Sequence, residues 1–383
     1  MTEIESEVLM DKSDDRNPAK IKYPVYQPSL TGNEKKYVDE CLDSTWISSK
    51  GKFIGKFEDD FAKFIGVDYA TSVCNGTVAV HLALVALGIG AGDEVIVPTF
   101  TYIASANPVL VVNAKPVFVD SLSDTWQMNP KDIEAKITDK TKAIVVVHLY
   151  GHPCDMDAIM AIAKKHNLYV IEDCAEAIGS KYKGQTVGSF GDIGCFSFFG
   201  NKTMTCGEGG MVVTSDAMLA DRLRRYKNQG NAKYREYWND ILGFNYRMTN
   251  IQAAIGLAQL EQVEGFIEKK RQIAAWYMEE LKDYPLEFNK ETKDVFHTYW
   301  MVSCLVEKAD MRDSLREFLK LNGVETRPTF YPIHTMPVYV HEFSKHKVAE
   351  DIALRGMNLP SYPALTHEDV KNICTVIKQY FEK

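Results

Sequence analysis

Short runs of consecutive apolar residues alternate with helical patterns over about residues 27–260. Four such runs, of four to six residues each, lie at 94–97, 116–119, 143–148 and 168–171. Their apolar positions are continuous, whereas a strand with one face in water alternates between apolar and polar residues. The pattern therefore predicts parallel strands that helices bury on both faces, which is an α/β domain.

Helical patterns fill the segments between and after these strands. Residues 78–87 are apolar nearly all round, which predicts a buried helix, and 157–167 predicts a crossover helix. Residues 195–199 and 210–214 flank a glycine-rich turn and predict a pair of strands. Residues 249–284 are periodic and contain few breakers, so they predict one or two long helices that lead out of the first domain.

The C-terminal part of the chain has the pattern of a smaller α+β unit. A strand is predicted near 300–306, with helices near 311–321 and 367–382. The first twenty residues carry six acidic and three basic side chains and no apolar run, which predicts a solvated tail and not a signal peptide. The predicted units are a disordered acidic tail at 1–22, a large domain at 23–262 and a small C-terminal domain at 263–383.

Charge and cysteine content narrow the possible functions. The 383 residues include 44 lysines and arginines against 52 acids, a net charge of −8, which argues against nucleic-acid binding as the main task. No run reaches the ~18 apolar residues of a membrane-spanning helix.

The eight cysteines are scattered and form no CxxC motif. We therefore expect reduced, buried thiols in a cytoplasmic protein, with a disulfide framework as the alternative.

Polar residues that follow predicted strands are the candidates for chemistry, because open α/β sheets bind ligands beyond the carboxyl ends of their strands. Asn75, Gly76 and Thr77 precede the buried helix. Unpaired backbone N–H groups there could bind a phosphate, or Asn75 or Thr77 could simply cap the helix. Asp173 directly follows a strand. It either faces a ligand or caps a following helix, with Glu176 as its capping-box partner.

Lys202 lies in an unusual setting for a charged side chain, within the stretch FSFFGNKT at 196–203 and before a glycine cluster at 207–210. The lysine either is exposed in a turn or forms a Schiff base with a carbonyl group. His148 and His152 have the spacing of metal ligands, but the turn residues around them argue against a metal site. The P-loop and the GxSxG elbow of serine hydrolases are missing from the sequence.

Taken together, these motifs resemble the DegT/DnrJ/EryC1/StrS family of sugar aminotransferases, which depend on pyridoxal 5′-phosphate (PLP). The resemblance covers about residues 24–380 and implies the type I fold of PLP-dependent aminotransferases, with a mixed, mostly parallel sheet in the large domain. Each motif alone is weak, but their joint occurrence in this order is specific. The matching stretches are TWISS at 45–49, NGT at 75–77, GDEVIVP at 92–98, TYIASAN at 101–107, IEDCAEA at 171–177, FSFFGNK at 196–202, GEGGM at 207–211 and GFNYRMTN at 243–250.

The family pattern implies roles around the ring of the cofactor. Lys202 would hold the cofactor as a Schiff base, and Asp173 would pair with the pyridinium nitrogen so that the ring can accept electrons. Tyr102 would stack on the ring, and Glu176 would contact its hydroxyl group, although the family often has Gln or His at this position. A dehydratase branch of the family has His in place of Lys202, so the lysine indicates transamination.

The pattern also implies how the phosphate group of the cofactor is bound. The backbone amides of Gly76 and Thr77 would hold it together with Ser197. Asn245 would reach the phosphate of the neighbouring subunit, which implies a homodimer with shared active sites. The resemblance implies no metal ion.

The resemblance further implies a reaction in two halves. Glutamate would donate its amino group and leave pyridoxamine phosphate, which would aminate C4 of a nucleotide-linked 4-keto-6-deoxyhexose. GDP-4-keto-6-deoxymannose, which gives GDP-perosamine, matches best, and the alternative is UDP- or dTDP-4-keto-6-deoxyglucose, which gives a viosamine nucleotide. Substrate contacts are expected from the loops at 45–49 and 327–334, although the second loop could be only structural, rigidified by its prolines. The expected contacts are Trp46, Ser48, Arg327, Tyr331 and His334.

Two other classes of protein stay open. One is a cofactor-free or regulatory binding protein on the same fold, which a yellow, borohydride-reducible absorbance would exclude. The other is a dinucleotide-dependent oxidoreductase, which its glycine pattern disfavours. The stretch GIGAGD at 88–93 has Asp93 in the sixth position and precedes a predicted strand instead of following one.

Overall fold

The computed structural model describes residues 21–339 and 344–382 of the chain. The acidic tail predicted at 1–22 lies outside the described residues, except for its last two positions. All eight cysteines are described, and each is a free thiol, seven of them buried, in agreement with the expectation of reduced thiols. Among the described residues, no helix is both long and apolar enough to cross a bilayer.

Several helices begin at a polar side chain that accepts hydrogen bonds from their first turn. Asn75 accepts from Val78 N at the start of α3, and Thr249 forms a capping box with Gln252 at the start of α8. The helices are α1 (Glu34–Ser44), α2 (Lys52–Ile65), α3 (Gly76–Ala86), α4 (Asn107–Val111), α5 (Pro130–Ala135), α6 (Met156–His166), α7 (Ala217–Lys227), α8 (Asn250–Leu260), α9 (Val263–Glu280), α10 (Ala309–Leu321), α11 (Lys347–Arg355) and α12 (His367–Phe381).

The strands of the described residues form three sheets. Seven make a large sheet in the order β1-β9-β8-β5-β4-β2-β3, four make a second sheet in the order β10-β12-β14-β13, and three short ones make a third. The strands are β1 (Tyr69–Val73), β2 (Glu94–Pro98), β3 (Lys115–Val119), β4 (Thr141–Val147), β5 (Tyr169–Asp173), β6 (Lys181–Tyr182), β7 (Gln185–Thr186), β8 (Ile193–Ser197), β9 (Gly210–Thr214), β10 (Leu286–Phe288), β11 (Val295–Phe296), β12 (Val302–Val306), β13 (Arg327–Pro328) and β14 (Gly356–Leu359).

The large sheet is mixed and mostly parallel, as predicted. Strands β3, β2, β4, β5 and β8 are parallel neighbours, and β9 and β1 are antiparallel to the strands beside them. The four continuous apolar runs coincide with β2 to β5, and the predicted strand pair coincides with β8 and β9. Helix α3 is buried on nearly all sides, in agreement with its apolar sequence. The segment 249–284 contains two helices, which separate at Glu261 and Gln262.

The second sheet has its own apolar core. Helices α9, α10 and α12 pack with this sheet around buried residues that include Cys304, Leu315, Ile373 and Ile377. The structure adds strands β10, β13 and β14 to the single strand predicted here. Helix α9 begins at Val263, and the domain division between 262 and 263 stays a prediction.

Candidate active site

The amine of Lys202 lies in a buried setting between two segments that are distant in the sequence. The lysine follows β8 in a turn, in which Lys202 N donates to Phe199 O at 2.9 Å. Its side chain is only 13% exposed, and its Nζ atom lies 3.9 Å from Glu176 Oε1 and 4.0 Å from the centroid of the Trp300 ring. The alternative of a lysine exposed in a turn is therefore wrong.

Burial sets the electrostatics of this pair of charged groups. It lowers the pKa of the Lys202 amine, while the nearby carboxylates of Glu176 and Asp173 act in the opposite direction. Burial also raises the pKa of Glu176 to about 7, although Lys202 and a hydrogen bond from Tyr150 N, at 2.9 Å, favour the carboxylate. An amine and a carboxyl group thus lie close together, and burial moves the pKa of each toward neutral pH.

Asp173 is the last residue of β5 and is held by two donors. Its Oδ2 atom accepts from Ser105 Oγ at 2.7 Å, and its Oδ1 atom accepts from Ala175 N at 3.1 Å. No helix begins between 174 and 180, so the alternative in which Asp173 and Glu176 cap a helix is wrong. The carboxylate is buried, and these two hydrogen bonds fix its orientation at the carboxyl end of the sheet.

The start of α3 lies against the end of β8. A Cβ atom placed on Gly76 would lie 2.6 Å from Ser197 Cβ, so only glycine allows this approach. Asn75 Oδ1 accepts from Val78 N at 3.0 Å, which confirms the cap that the sequence left open. The cap is compatible with anion binding, because the N–H groups of a helix's first turn have no acceptor within the helix. Thr77 is exposed at this end.

A row of four aromatic side chains, which we call the aromatic row, runs from the Lys202 amine to the protein surface. The ring of Trp300 is stacked with that of Tyr150, which is stacked with Phe330 at 5.4 Å. Phe330 in turn contacts Tyr102 at 5.7 Å, and the Tyr102 side chain is 57% exposed. Tyr102 is therefore in the same cluster as Lys202 and has a ring face available to a ligand.

Asn245 lies in a separate part of the chain. Asn245 forms an isolated antiparallel β-bridge with Asn228, and its Oδ1 atom accepts from Arg247 Nε at 3.0 Å. These contacts do not join Asn245 to the Lys202 cluster of its own chain. The expectation that it acts in a neighbouring subunit stays a prediction.

The loop that contains Trp46 and Ser48 is exposed, and hydrogen bonds from Asn250 hold its backbone in place. Asn250, at the start of α8, donates from Nδ2 to Trp46 O at 2.7 Å and from its backbone N to Ser48 O at 2.6 Å. The side chains of Trp46 and Ser48 are both exposed. The loop borders an open cavity of about 650 Å³, which is also lined by Glu40, Asp43, Ser44, Gly51, Lys52 and Phe53.

The second expected substrate loop divides into exposed and buried residues. Arg327 is exposed, and Tyr331 is half-exposed, with the Arg312 guanidinium 6.0 Å from its ring. His334 is completely buried, its Nδ1 atom 2.6 Å from Thr99 Oγ1 and its Nε2 atom 3.4 Å from Glu350 Oε1. The structure does not bring His334 to the surface near Tyr331, and its position fits the structural alternative.

The buried cluster of His148, Glu172 and Cys174 has the composition of a metal site, but its imidazole and its carboxylate already take part in hydrogen bonds. His148 Nδ1 accepts from Cys154 N at 3.1 Å, so its Nε2 carries the hydrogen and donates to Glu172 Oε2 at 3.1 Å. The Glu172 carboxylate also accepts three backbone N–H groups, from Gly188, Phe190 and Gly191. The cluster therefore ties β4 and β5 to the turn before β8.

The sequence analysis missed four residues that shape this site. Ser105 lies in the TYIASAN stretch, which offered a signal, because a hydroxyl three residues after Tyr102 returns to the same end of the sheet. Tyr150 and Trp300 had no such signal, because Trp300 meets Lys202, and Tyr150 meets Glu176 and Trp300, only in the folded chain. Tyr26 donates its hydroxyl hydrogen to Lys202 O, again from a distant segment.

Known proteins resemble this chain over most of its length. The model of the DegT/DnrJ/EryC1/StrS aminotransferase family matches residues 28–378. The GDP-perosamine synthase of Escherichia coli O157:H7 is 62% identical over 94% of this chain and 99% of that protein, and that of Vibrio cholerae is 50% identical over 94% and 99%. A solved aminotransferase from Psychrobacter cryohalolentis is 35% identical, with a TM-score of 0.88 over 94% of this chain and 99% of that chain. The PLP form of a putative sugar aminotransferase from Streptococcus pneumoniae is 27% identical, with a TM-score of 0.89 over 94% and 98%. The chain belongs to the DegT/DnrJ/EryC1/StrS aminotransferase family, whose cofactor is PLP.

Proposed function

We propose that this protein is a 4-aminotransferase that converts GDP-4-keto-6-deoxymannose to GDP-perosamine, with glutamate as the amino donor. The observation that carries the proposal is the buried Lys202 amine beside Glu176, near Asp173, at the carboxyl end of the large sheet. The choice of sugar nucleotide is supported by the relatives named GDP-perosamine synthase. A relative named as a UDP-N-acetyl-3-dehydro-glucosamine aminotransferase is more distant, at 44% identity.

The residues of the site fit a bound PLP. Lys202 offers a buried amine of lowered pKa for the Schiff base, and Asp173 offers a carboxylate for the ring nitrogen. Gly76, Thr77 and Ser197 would bind the phosphate, where the start of α3 offers N–H groups and a close approach without a Cβ atom. When bound, the cofactor supplies a carbonyl carbon for the amine and an electron-withdrawing ring.

The side chains around the amine have distinct roles in this proposal. Lys202 Nζ, when it is not covalently bound, accepts the proton from the α-carbon of glutamate. Glu176, whose pKa is raised to about 7, would contact the ring hydroxyl and keep a proton shared near that group. Asp173 is held in place by Ser105 and stays an acceptor for a positively charged ring. Tyr102 would cover the ring with its exposed face.

We further propose that substrate reaches the site between the two exposed loops. Trp46 and Ser48 on one loop, and Arg327 and Tyr331 on the other, are exposed and free to contact the nucleotide and the sugar. Arg327 lies 3.9 Å from Glu325 Oε1, a distance that leaves its guanidinium able to move to a diphosphate. His334 would act only through the packing of its loop.

We also propose a cytoplasmic homodimer in which Asn245 completes the partner's phosphate site. Support for the dimer comes from the segment around Asn245, in which large apolar side chains are exposed. They are Tyr234, Tyr237, Trp238 and Leu242, and Tyr237 is 99% exposed. Free thiols at all eight cysteines support the cytoplasmic location.

Subunit complementation tests the shared site. Lys202→Ala and Asn245→Asp are each expected to be inactive, whereas a mixed dimer has one site with both residues intact. Refolding an equal mixture should therefore restore about a quarter of the wild-type rate, because half of the dimers are mixed. A mixture that stays as inactive as the two variants would contradict the shared site but not the aminotransferase activity.

The substrate is tested directly with three sugar nucleotides. The purified protein, loaded with PLP, is incubated with glutamate and with GDP-4-keto-6-deoxymannose, UDP-4-keto-6-deoxyglucose or dTDP-4-keto-6-deoxyglucose. Mass spectrometry then follows the replacement of the keto oxygen by an amino group. We expect the GDP-linked sugar to react with a kcat/KM at least ~10-fold above the other two, the range that a few polar contacts to a base supply. A preference for the UDP or dTDP sugar would overturn the choice of substrate.

A further inference from the structure

The Lys202 amine lies over an aromatic ring at about the same distance as its nearest carboxylate oxygen. Its Nζ atom lies 4.0 Å from the centroid of the Trp300 ring, well within the distance at which a cation is attracted to an aromatic face. The nearest carboxylate oxygen, Glu176 Oε1, lies at 3.9 Å, beyond hydrogen-bond distance. Trp300 is itself buried, so the contact is shielded from water.

The Trp300 side chain is fixed from several sides. Its Nε1 atom donates to Asn201 O at 2.7 Å, and Asn201 is the residue directly before Lys202. Its ring lies parallel to Tyr150, with 13° between the planes and 6.1 Å between the centroids. Its backbone carbonyl accepts from Lys270 Nζ at 3.0 Å. The indole is therefore tied to the lysine segment itself by a hydrogen bond.

Tyr150 connects the indole to the second neighbour of the amine. The backbone N of Tyr150 donates to Glu176 Oε2, while its ring supports Trp300. One residue thus positions both the carboxyl group and the aromatic face between which the amine lies. The charged groups that face the amine are Glu176 and, at longer range, Asp173.

We propose that the indole face of Trp300 is where the Lys202 amino group rests when it is not covalently bound to the cofactor, and that the contact is strongest once the nitrogen has taken up a proton and become an ammonium group. The inference rests on the proposed role of Lys202 and adds a positioning residue to it. A lysine released during each half-reaction must stay close to the reacting carbon and must not drift into water. The ring holds the amine at a defined place without a hydrogen bond that would have to be broken when the nitrogen reacts.

The test measures the titration of the Lys202 amine in the cofactor-free protein. The pH dependence of its labelling by an amine reagent is followed by mass spectrometry of the Lys202 peptide. The midpoint of this profile reports the proton affinity, whereas the absolute rate also follows access. The variants are Trp300→Phe and Trp300→Leu, which both lose the hydrogen bond to Asn201 and differ in whether a ring remains.

We expect the Leu variant to have a midpoint about 0.5 to 1.5 pH units below that of the Phe variant, since a shielded cation–π contact changes the protonation constant up to roughly 30-fold. Trp126→Leu is the matched control, because Trp126 is buried and lies edge-on to Tyr150, and the aromatic contact at the Lys202 amine is made by Trp300. The control should leave the midpoint unchanged. A Leu midpoint equal to or above the Phe midpoint, or an equal change in the control, would overturn the proposal.

Fluorinated tryptophan gives a second measurement if the Leu variant does not fold. Fluorine weakens the attraction of the ring for a cation while largely keeping its shape, so the Lys202 midpoint should fall stepwise with the number of fluorine atoms. An unchanged midpoint would overturn the proposal. None of these readouts depends on turnover, so they fail or succeed independently of whether Lys202 is the residue that binds PLP.

Discussion

The two carboxyl groups of the site differ in their hydrogen bonds, and this difference supports the separate roles that we propose for them. Asp173 has a donor on each oxygen, from Ser105 and from Ala175, and these two hydrogen bonds hold the carboxyl group in one orientation. Glu176 has one backbone donor and is fully buried, and its pKa is raised to about 7. One group is thus suited to face a permanent positive charge, and the other to gain or lose a proton near neutral pH.

We predict that Asp173→Asn lowers kcat by at least ~100-fold, because a neutral amide cannot hold the ring nitrogen in its protonated form, an interaction of roughly 4 kcal/mol at an effective dielectric constant near 20. Ser105→Ala should lower kcat less, by about 10-fold, because it removes one hydrogen bond to the carboxylate. Both variants should keep the circular dichroism spectrum of the wild type. An Asn variant with the wild-type rate would show that Asp173 does not face the cofactor ring.

Individual residues were predictable where the sequence held a local anomaly. Lys202 stood out because a charged side chain lay among aromatic residues and glycines, and Asp173 because a carboxylate directly followed an apolar strand. Trp300 gave no such signal, since nothing in its neighbourhood marks it as a partner of Lys202. His334 was expected among substrate contacts from its loop, and burial against Thr99 explains why a loop position alone was misleading.

At the scale of elements, the approach of α3 to β8 shapes the end of the site where we propose that the phosphate binds. A side chain at Gly76 would push Ser197 away, because its Cβ would lie 2.6 Å from Ser197 Cβ. The predicted strands β2 to β5 lead the chain to this edge, and the fixed N-terminus of α3 points at it. The local geometry therefore depends on a single glycine, Gly76, which is the first residue of α3.

We predict that Gly76→Ala lowers the affinity for pyridoxamine phosphate by at least ~10-fold, because the added methyl group forces α3 and Ser197 apart. Pyridoxamine phosphate is the right probe, since it needs no Schiff base with Lys202, and calorimetry measures its binding. Gly200→Ala is the matched control, because a Cβ there meets no atom within 4 Å. Equal affinities in the two variants would place the phosphate elsewhere.

Most elements of the large sheet were predictable because buried parallel strands are continuously apolar. Strand β1 was missed because its sequence, YATSV, contains two polar residues that are nevertheless buried. Ser72 is satisfied by Glu58, which accepts from both its backbone N and its hydroxyl group at 2.7 Å. A tertiary partner of this kind cannot be read from the strand itself, so the sequence analysis predicted no strand here.

For the whole molecule, a buried lysine outside the active site joins segments that the sequence keeps far apart. Lys270, in α9, donates to Trp300 O at 3.0 Å and to Ser361 O at 2.6 Å. Burial lowers its pKa from 10.5 to about 7. Its amine therefore supports the segment that carries Trp300, and through it the surroundings of Lys202.

Lys270 makes the stability of the protein depend on pH. The pKa of the Lys270 amine is lower in the folded chain than in the unfolded chain. The stabilisation that the neutral amine gives to the folded chain is therefore complete above pH 10.5 and is lost as the pH falls toward about 7. Relative to Lys270→Met, the wild type should gain roughly 1.4 kcal/mol per pH unit in this window. Urea unfolding at about pH 7.5 and about pH 9.5 measures the gain. Lys269→Met, at the neighbouring and more exposed position, should show no such trend, and equal trends would contradict the assignment.

The overall order of the fold followed from the sequence, but the contacts between distant segments did not. A mixed, mostly parallel sheet followed by an α+β unit was predictable from the change of hydrophobic pattern along the chain. The meeting of Lys202 with Trp300, and of Lys270 with Trp300 O, depends on how the second sheet packs against the first. No periodicity encodes that packing, because each partner is an ordinary core residue within its own segment.

The covalent attachment of PLP to Lys202 is the central claim, and borohydride reduction tests it most directly. Reduction of the PLP-loaded protein converts a Schiff base into a stable secondary amine, which peptide mass spectrometry locates. We predict a single phosphopyridoxyl group on Lys202 and none on Lys270, another buried lysine of lowered pKa. Loss of the group in Lys202→Arg would complete the result. A group on another lysine, or none in protein that still binds PLP, would contradict the account.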